Sequence, residues 1–394
     1  MFGNESIDFD ILRKRAFNLR WASVPEGVIP LTAADPDFPC PPQIVEAIQK
    51  FAAERYFSYG NPEGMSEFKE AAAAFFAHKR NVSVSPAHVL PVDSAAFGIH
   101  VVCKTFLKPG DEAIIFDPVD FLFRYCIEQA GAKAITFPIP PGNTQLALDA
   151  LEACITSRTK LICLCNPLNP TGKVFSKQEL HAIGMLAVKY NIKILSDEIW
   201  SDIVFPPAVY TSVASIDEEI RRHCIIVTGF SKSYGLAGLR IGLLAVADEV
   251  TFRLLLENSL HNSTVHGANI ISQVAAATAL NACGDWLASF VNHLHQMRDY
   301  CVTQLNALPG VHCHPPDGCY VAFANIKETG KSSAEVHQWL LKEARVAVVP
   351  GLTQWFGEGA EGYIRISFAT SKTVLESAFD RIHHCFHQKI KILP

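Results

Sequence analysis

The sequence lacks several features that would place it in a class at once. Its 34 basic and 39 acidic side chains give a net charge of −5, so no excess of positive charge points to nucleic acid or an anionic membrane surface. No uncharged apolar run approaches a membrane span, and residues 1–15 contain no apolar stretch typical of a secretory signal. We therefore expect a globular cytoplasmic protein that binds neither nucleic acid nor membranes.

Its twelve cysteines form no metal-binding pattern. The closest pair, Cys163 and Cys165, is two residues apart, and no CxxC spacing occurs. The histidines and the cysteine within residues 383–387 lie in a predicted helix, on more than one of its faces, so a solvated surface is expected there. The sequence thus predicts no metal site and thiols that remain reduced.

What the sequence does contain is a regular alternation of short apolar runs and helical patterns between about residues 85 and 246. This alternation is typical of βαβ units around a mainly parallel sheet. One helix is marked by Ser176 and Glu179, which form a capping-box pattern ahead of a periodic run to Asn191. Seven strands are predicted, at residues 88–92, 112–116, 134–138, 160–165, 192–196, 224–228 and 241–246.

After residue 284 the pattern changes and predicts a second, smaller unit of mixed helices and strands. Residues up to about 40 show no periodicity, so we expect them to lie across this unit and the cleft. The prediction is an α/β fold with a large domain at residues 45–284 and a small α+β domain formed by residues 1–44 and 285–394. In the small domain, helices are expected at 286–308 and 333–344, and strands at 311–314, 320–325, 347–349 and 363–368.

Three polar residues follow predicted strands of the large domain. The carboxyl ends of parallel strands face the ligand crevice, and Ser94, Asp197 and Lys232 all lie at such ends. Each has an ordinary alternative: a helix N-cap for Ser94, a strand-end cap for Asp197, and a solvated lysine for Lys232. Together, an amine, a carboxylate and an anion-binding helix terminus suit an aldehyde cofactor with a phosphate tail and a basic ring nitrogen.

The segment GFSKSYGLAGLRIG, residues 229–242, resembles the lysine signature of pyridoxal-phosphate enzymes of fold type I, in the class I/II aminotransferase superfamily. The resemblance implies that Lys232 forms an imine with pyridoxal 5′-phosphate and that Arg240 pairs with its phosphate, a task that suits the planar guanidinium fork. The cofactor-binding set implied in this region of the fold also contains Ser94, Ala95, Ala96 and Ser231.

Other motifs extend the resemblance over nearly the whole chain. NPLNPTGKVF resembles a loop whose asparagine, here Asn169, donates to the cofactor O3′ and adjoins the substrate, and SDEIW implies that Asp197 keeps the pyridine nitrogen protonated. YFSYGNPEG implies that Tyr59 reaches the phosphate of a neighbouring subunit, hence a homodimer. EGYIRISFAT implies that Arg365 binds the substrate α-carboxylate; a surface salt bridge is its alternative.

Two further segments resemble the cystathionine β-lyase-like (C–S lyase) branch of the superfamily. They are LTAADPDFPCPP, which contains Ala34, and VVPGLTQWFGEGAEGYIR, which contains Trp355. Both would line the mouth of the cleft, with Ala34 and Trp355 beside the substrate.

The sequence departs from the resembled patterns at three positions. Arg240 belongs to the aminotransferase form of the lysine signature, and the lyase branch usually lacks an arginine there. In DPVDFLFR, Asp120 stands where the lyase branch has a tyrosine that stacks on the cofactor ring. Three explanations are open for the aspartate at this position. Phe121 or Phe123 stacks on the ring instead, the site has been rebuilt, or the alignment with the family is shifted by one residue. Trp200 stands where aminotransferases carry tyrosine and lyases often histidine, and an indole cannot relay a proton. Since a buried unpaired carboxylate is costly, we hypothesise that Asp120 pairs with a cationic substrate side chain, such as a guanidinium or an amine.

The resemblance implies chemistry at the α-carbon of a small L-amino acid through aldimine and quinonoid intermediates, with Lys232 as general base. Aminotransfer is the expected outcome; C–S β-elimination, or elimination and cyclisation of a cationic amino acid, are the alternatives. A regulator without enzymatic activity is disfavoured because no DNA-binding module is attached. A dinucleotide enzyme is disfavoured because no GxGxxG opens a helix after a strand.

Overall fold

The computed structural model describes residues 1–142 and 145–390, and side chains to residue 387. The strands are β1 (Ile29–Pro30), β2 (Val89–Val92), β3 (Glu112–Asp117), β4 (Lys133–Pro138), β5 (Thr159–Cys165), β6 (Lys193–Asp197), β7 (Cys224–Gly229), β8 (Gly242–Val246), β9 (Val321–Asn325), β10 (Val346–Ala347), β11 (Val349–Pro350) and β12 (Tyr363–Ser367). The α-helices are α1 (Phe9–Arg15), α2 (Pro42–Ala53), α3 (Ser66–Arg80), α4 (Ala95–Phe106), α5 (Leu122–Gln129), α6 (Leu148–Ala153), α7 (Lys177–Tyr190), α8 (Glu218–His223), α9 (Ser231–Tyr234), α10 (Glu249–Asn258), α11 (Ile270–Ala282), α12 (Gly284–Asn306), α13 (Ser333–Trp339), α14 (Thr353–Phe356) and α15 (Lys372–Ile390).

A seven-stranded sheet is the centre of the fold, in the order β2-β8-β7-β6-β5-β3-β4. Strand β8 is antiparallel to both neighbours, and all other pairs are parallel. The seven predicted strands are confirmed, each with ends that differ by at most one residue. The mainly parallel sheet directs the ends of β5, β6 and β7 to one edge, where a ligand crevice is expected.

Local sequence signals explain how the helices around this sheet begin and end. The hydroxyl of Ser176 accepts from the backbone N–H of Glu179, whose carboxylate accepts in return from the backbone N–H of Ser176, so α7 starts with the predicted capping box. The helix ends at Asn191, which has a left-handed φ of 52°. Ser94 caps α4 in the same way, with its hydroxyl accepting from the N–H of Phe97.

A second, antiparallel sheet has the order β11-β12-β9. The predicted strand at residues 311–314 is wrong, since only His312 forms a bridge, to Asn325. The predicted helix at 333–344 consists of α13 followed by a π-helical turn, Leu340–Ala344. The predicted strand at 347–349 is two short strands, because β10 pairs with β1 whereas β11 pairs with β12.

The N-terminal segment is more regular than the sequence predicts. It contains α1, capped by Asp8, and β1, which runs parallel to β10. Within the segment, the buried side chains of Arg20 and Asp37 form an ion pair, and the indole N–H of Trp21 donates to the same carboxylate at 2.7 Å. The pairing of β1 with β10, and a hydrogen bond from the backbone N–H of Asp37 to the carbonyl oxygen of Ala369, join the segment to the rest of the molecule.

Residues 1–142 and 145–390 contain neither a single helix able to span a membrane nor a cluster of metal-binding side chains. No single helix there is both long and apolar enough to cross a bilayer; α11 and α12 reach that length and composition only together, with a bend of 79° between them. Within the same ranges, no three histidine, cysteine, aspartate or glutamate side chains form a group able to hold a metal ion. In α15, His383 instead interacts with the side-chain oxygen of Gln304 at 2.9 Å.

Candidate active site

A cavity of about 360 Å³ lies at the carboxyl ends of the parallel strands, a size in the ordinary range for a ligand pocket. Of the predicted site residues, those that line it are Ala34, Ser94, Ala95, Ala96, Asp120, Asn169, Asp197, Ser231, Lys232, Arg240, Trp355 and Arg365. A larger cavity of about 620 Å³, lined by Phe9, Trp21 and Arg381 among others, contains none of them.

The topology explains why these distant residues meet. Asp197 is the last residue of β6, and Lys232 lies in α9, which follows the end of β7 at Gly229. Ser94 follows β2 and opens α4. The apolar run ahead of Lys232 is therefore a buried strand, and the lysine lies where the chain leaves the sheet.

The amine of Lys232 is held by a backbone carbonyl. Its Nζ donates to the carbonyl oxygen of Ala34 at 2.6 Å, and the hydroxyl of Tyr320 donates to the same oxygen at 3.0 Å. Burial lowers the pKa of Lys232, and the carboxylate of Asp35 opposes this shift most strongly among the charges nearby. A lowered pKa favours the neutral amine, which is the form that acts as nucleophile or base.

Asp197 is a buried acid at the floor of the cavity. One carboxylate oxygen accepts from the N–H of Ile199 at 3.1 Å, and no residue in the described part of the chain forms an ion pair with it. Burial raises its pKa to about 7. A basic ring nitrogen placed beside it would gain a counter-ion, because a nearby cation favours the ionised carboxylate.

Asn169 links a carboxylate to an arginine. Its side-chain N–H donates to Oδ2 of Asp120 at 3.1 Å, and its Oδ1 accepts from Nη1 of Arg365 at 3.1 Å. Arg365 also donates from Nη2 to the carbonyl oxygen of Thr32 at 3.4 Å, while its buried Nε has no partner among the described residues. An unsatisfied buried guanidinium N–H at the cavity wall suits a carboxylate ligand.

The opposite end of the cavity is suited to a phosphate. The first N–H groups of α4 have no partner within the helix, and Arg240 lines the same region. A Cβ on Gly242 would lie 2.8 Å from the backbone nitrogen of Ala95, so glycine allows β8 to pass directly beside this helix terminus. Arg240 itself has a left-handed φ of 52°, which is uncommon for residues other than glycine.

Tyr59 lies outside this cavity. Its side chain is 87% exposed, and its ring centre is 4.5 Å from that of His266. A position on the surface of one chain is compatible with contact to a neighbouring subunit, so its predicted role stays a prediction.

Two aromatic residues are candidates to stack on the cofactor ring in place of Asp120, which has no ring. Phe121 is partly exposed, with its ring centre 6.4 Å from that of Trp355, whereas Phe123 is buried. Both line the cavity. Trp200 is buried with its ring centre 5.4 Å from the amine of Lys232, and its edge contacts Tyr320. The indole at this position therefore forms a wall beside the lysine.

Asp35 and Tyr320 surround Lys232 but were not singled out by the sequence. Asp35 lies within the ADPDF segment, next to the predicted Ala34, so this motif could have indicated that Asp35 lies near Lys232. Tyr320 ends the stretch before β9 and meets Ala34 across 286 positions of sequence. No local pattern encodes a contact over that separation.

Comparisons with known proteins place the chain in a family. The family model for class I and II aminotransferases matches residues 26–382. The aromatic-amino-acid aminotransferase 2 of Thermococcus litoralis is 33% identical over 368 residues, which span 92% of this chain and 93% of that protein. An aspartate aminotransferase of Pyrococcus horikoshii is 31% identical over 364 residues, which span 92% of this chain and 91% of that protein.

A solved structure extends the likeness to three dimensions. The crystal structure of cystalysin from Treponema denticola, which contains a pyridoxal 5′-phosphate cofactor, aligns with a TM-score of 0.90 over 98% of this chain and 99% of that chain. The sequence identity is 21%, so this likeness concerns the fold.

Proposed function

This chain belongs to the class I and II aminotransferase family and is a pyridoxal-phosphate-dependent enzyme, and from that premise we propose that it transfers the amino group of a small L-amino acid to a keto acid. The predicted superfamily, fold type I architecture and cofactor are thereby confirmed. The observation that carries the reaction proposal is the convergence of Lys232, Asp197 and Arg365 on one cavity.

The residues of the cavity have distinct tasks in this proposal. Pyridoxal phosphate supplies an aldehyde that condenses with amines and a ring that withdraws electrons from the α-carbon. Asp197 holds a proton on the ring nitrogen, and Arg240 with the α4 terminus holds the phosphate. Arg365 binds the α-carboxylate through its free Nε, and the amine of Lys232 takes the proton from the α-carbon.

Product analysis tests the reaction type. The holoenzyme is mixed with a panel of L-amino acids, and products are followed by mass spectrometry while absorbance follows the cofactor. A keto acid together with a stable pyridoxamine form supports aminotransfer. Ammonia and pyruvate would support the C–S β-lyase alternative, and a cyclic amino acid would support the biosynthetic one. Either of those results, without a stable pyridoxamine form, would replace the proposal.

The assembly and organisation of the chain are also proposed. A homodimer with Tyr59 at the neighbouring site is supported by the exposure of that side chain. A large domain at residues 45–284 is supported by the position of the seven-stranded sheet, which lies within it, and of the β11-β12-β9 sheet, which lies outside. A cytoplasmic location is supported by the twelve cysteines, which form no disulfide with one another.

A further inference from the structure

The charges around the cavity do not balance once the cofactor and the substrate backbone are assigned. The basic residues that line the cavity are Lys232, Arg240 and Arg365, and the acidic residues that line it are Asp120 and Asp197. In the proposed function, on which this inference rests, Lys232 forms the covalent link, Arg240 meets the phosphate, Arg365 meets the α-carboxylate and Asp197 meets the ring nitrogen. Asp120 alone has no charge to meet.

Asp120 is held in place by neutral groups only. Its Oδ1 accepts from the N–H of Leu122 at 3.2 Å, and its Oδ2 accepts from the side-chain amide of Asn169 at 3.1 Å. No residue in the described ranges forms an ion pair with it, although Arg365 is close enough to act on it electrostatically. Burial raises the pKa of Asp120, the expected response of a carboxylate without a counter-ion.

A second carboxylate lies next to a residue of the cavity wall. Asp35 follows the cavity-lining Ala34 and interacts electrostatically with Lys232 and Arg20. Its side chain accepts no hydrogen bond from any residue that the structure describes. Asp35 does not itself line the cavity, so with Asp197 assigned to the ring nitrogen, Asp120 is the carboxylate of the wall that a substrate side chain would meet.

We propose that the cavity selects amino acids with a cationic side chain, a guanidinium or an ammonium, and that Asp120 is the residue that binds this cation. A carboxylate fixed in a partly desolvated wall attracts a cation more strongly than one in water does. An acidic side chain would instead meet Asp120, because both arginines that line the cavity already have partners in the proposed function.

The alternative role for Asp120 is to orient Asn169, because its carboxylate accepts a hydrogen bond from the side-chain amide of Asn169. The two roles differ in what they do to different substrates. Loss of the hydrogen bond to Asn169 would weaken the binding of cationic and neutral amino acids alike. Loss of a cation-binding carboxylate would weaken the binding of the cationic amino acids only.

The experiment measures binding of matched amino acids to the holoenzyme of the parent and of Asp120→Asn. L-arginine is paired with L-citrulline, which replaces the guanidinium by a neutral urea, and L-ornithine is paired with L-norvaline. The Kd comes from the first, rapid absorbance change of the bound cofactor after mixing, which precedes the later steps of the reaction. Cofactor content and Tm of each variant are measured alongside, so that a failure to fold is recognised.

In at least one pair, we expect the parent to prefer the cationic member by about tenfold or more, and Asp120→Asn to abolish most of that preference. The matched control is Asp149→Asn, which removes an exposed carboxylate in the first turn of α6 and should leave the preference unchanged. The proposal is overturned if the parent shows no preference in either pair, or if the preference survives in Asp120→Asn. Failure to form a keto acid despite cation-selective binding would count against aminotransfer alone.

Discussion

At the scale of single residues, the site depends on groups whose partners come from distant parts of the chain. The carbonyl oxygen of Ala34 accepts from both Lys232 and Tyr320, and Asn169 contacts both Asp120 and Arg365. Each of these side chains therefore has its position set by at least one other residue of the same cavity. Changes at one of them are expected to show in cofactor or substrate binding as well as in rate.

The first prediction concerns the ionisation of Asp197. Its pKa is about 7 in the folded protein against an ordinary value of 3.8, so the cofactor-free fold binds this proton more tightly than the unfolded chain does. The contribution of this group to stability therefore falls as pH rises through that window, by up to about 1.4 kcal/mol per pH unit. Asp197→Asn removes this contribution, so the free energy of unfolding of the variant should increase relative to that of the parent as pH rises through the window.

Urea unfolding of the cofactor-free proteins between pH 4.5 and 7.5 measures this difference. Asp149→Asn, whose carboxylate is exposed, serves as the control and should reproduce the slope of the parent. Parallel slopes for the parent and Asp197→Asn would show that the carboxyl of Asp197 is ionised throughout.

A second prediction at this scale concerns the shape of the guanidinium of Arg365. It already donates to Asn169 and to Thr32, and Nε remains for a ligand. A lysine presents a compact charge and cannot reproduce this planar arrangement. We expect Arg365→Lys to raise the Kd for the amino acid by about 10- to 100-fold, as measured by the absorbance change of the holoenzyme.

The control for this substitution is Arg222→Lys, on an exposed i,i+4 pair with Glu218. It should leave the Kd unchanged. An unaltered Kd in Arg365→Lys would mean that the α-carboxylate binds elsewhere.

The sequence could predict most of the lining residues because they lie in short motifs at strand ends. It could not predict how they are connected. Tyr320, for instance, has no motif of its own, and its contact with Ala34 depends on how the N-terminal segment crosses the cavity. Asp120 was recognised as unusual, but its hydrogen bond to Asn169 joins two loops 49 residues apart.

At the scale of elements, regular apolar patterns predict the strands of the large sheet, whereas the sequence does not predict the very short strands. The strands of the seven-stranded sheet are buried apolar runs bounded by turns, so their position follows from composition. The strands β10 and β11 have two residues each and exist only because β1 and β12 lie beside them. The expected strand at 311–314 failed for the same reason, since only His312 finds a pairing partner.

The third prediction concerns the close approach of β8 to α4. A Cβ at position 242 would lie 2.8 Å from the backbone nitrogen of Ala95 and 2.8 Å from the carbonyl oxygen of Thr228, neither of which can move alone. Gly242→Ala should therefore lower the free energy of unfolding by about 1–3 kcal/mol and, by displacing the α4 terminus, weaken cofactor binding. Denaturant unfolding and a pyridoxal-phosphate titration measure both effects.

Gly284→Ala is the matched control, because a Cβ there meets no atom within 4 Å. It is expected to be neutral or slightly stabilising at the start of α12. If Gly242→Ala matched this control in both measurements, β8 and α4 would be free to separate.

At the scale of the whole molecule, one part of the surface carries several exposed aromatic side chains. Tyr56, Phe57 and Tyr59 follow one another closely after α2, and their side chains are 81%, 58% and 87% exposed. Large aromatic side chains exposed together often mark a protein contact. This observation supports the proposed homodimer, and it places Tyr59 where it could enter a neighbouring cavity.

The fourth prediction tests that arrangement by combining two defective chains. If Tyr59 serves the neighbouring site, Lys232→Ala and Tyr59→Ala damage different components of each site. In a mixed dimer, the chain that keeps Lys232 receives Tyr59 from its partner, so one of the two sites is complete. After equal amounts of the two variants are unfolded, mixed and refolded, about half of the dimers should be mixed, and activity should reach about a quarter of the parent value.

Light scattering is measured first and should give the parent twice the chain mass of 43.3 kDa. Each variant refolded separately is the control and should remain well below the mixture. The mixture could instead be no more active than the average of the two variants refolded separately. That result would mean that Tyr59 serves its own chain or no site at all, because a mixed dimer would then contain no complete site. Recovery would locate the phosphate contact across the subunit boundary, beyond what a single chain can reveal.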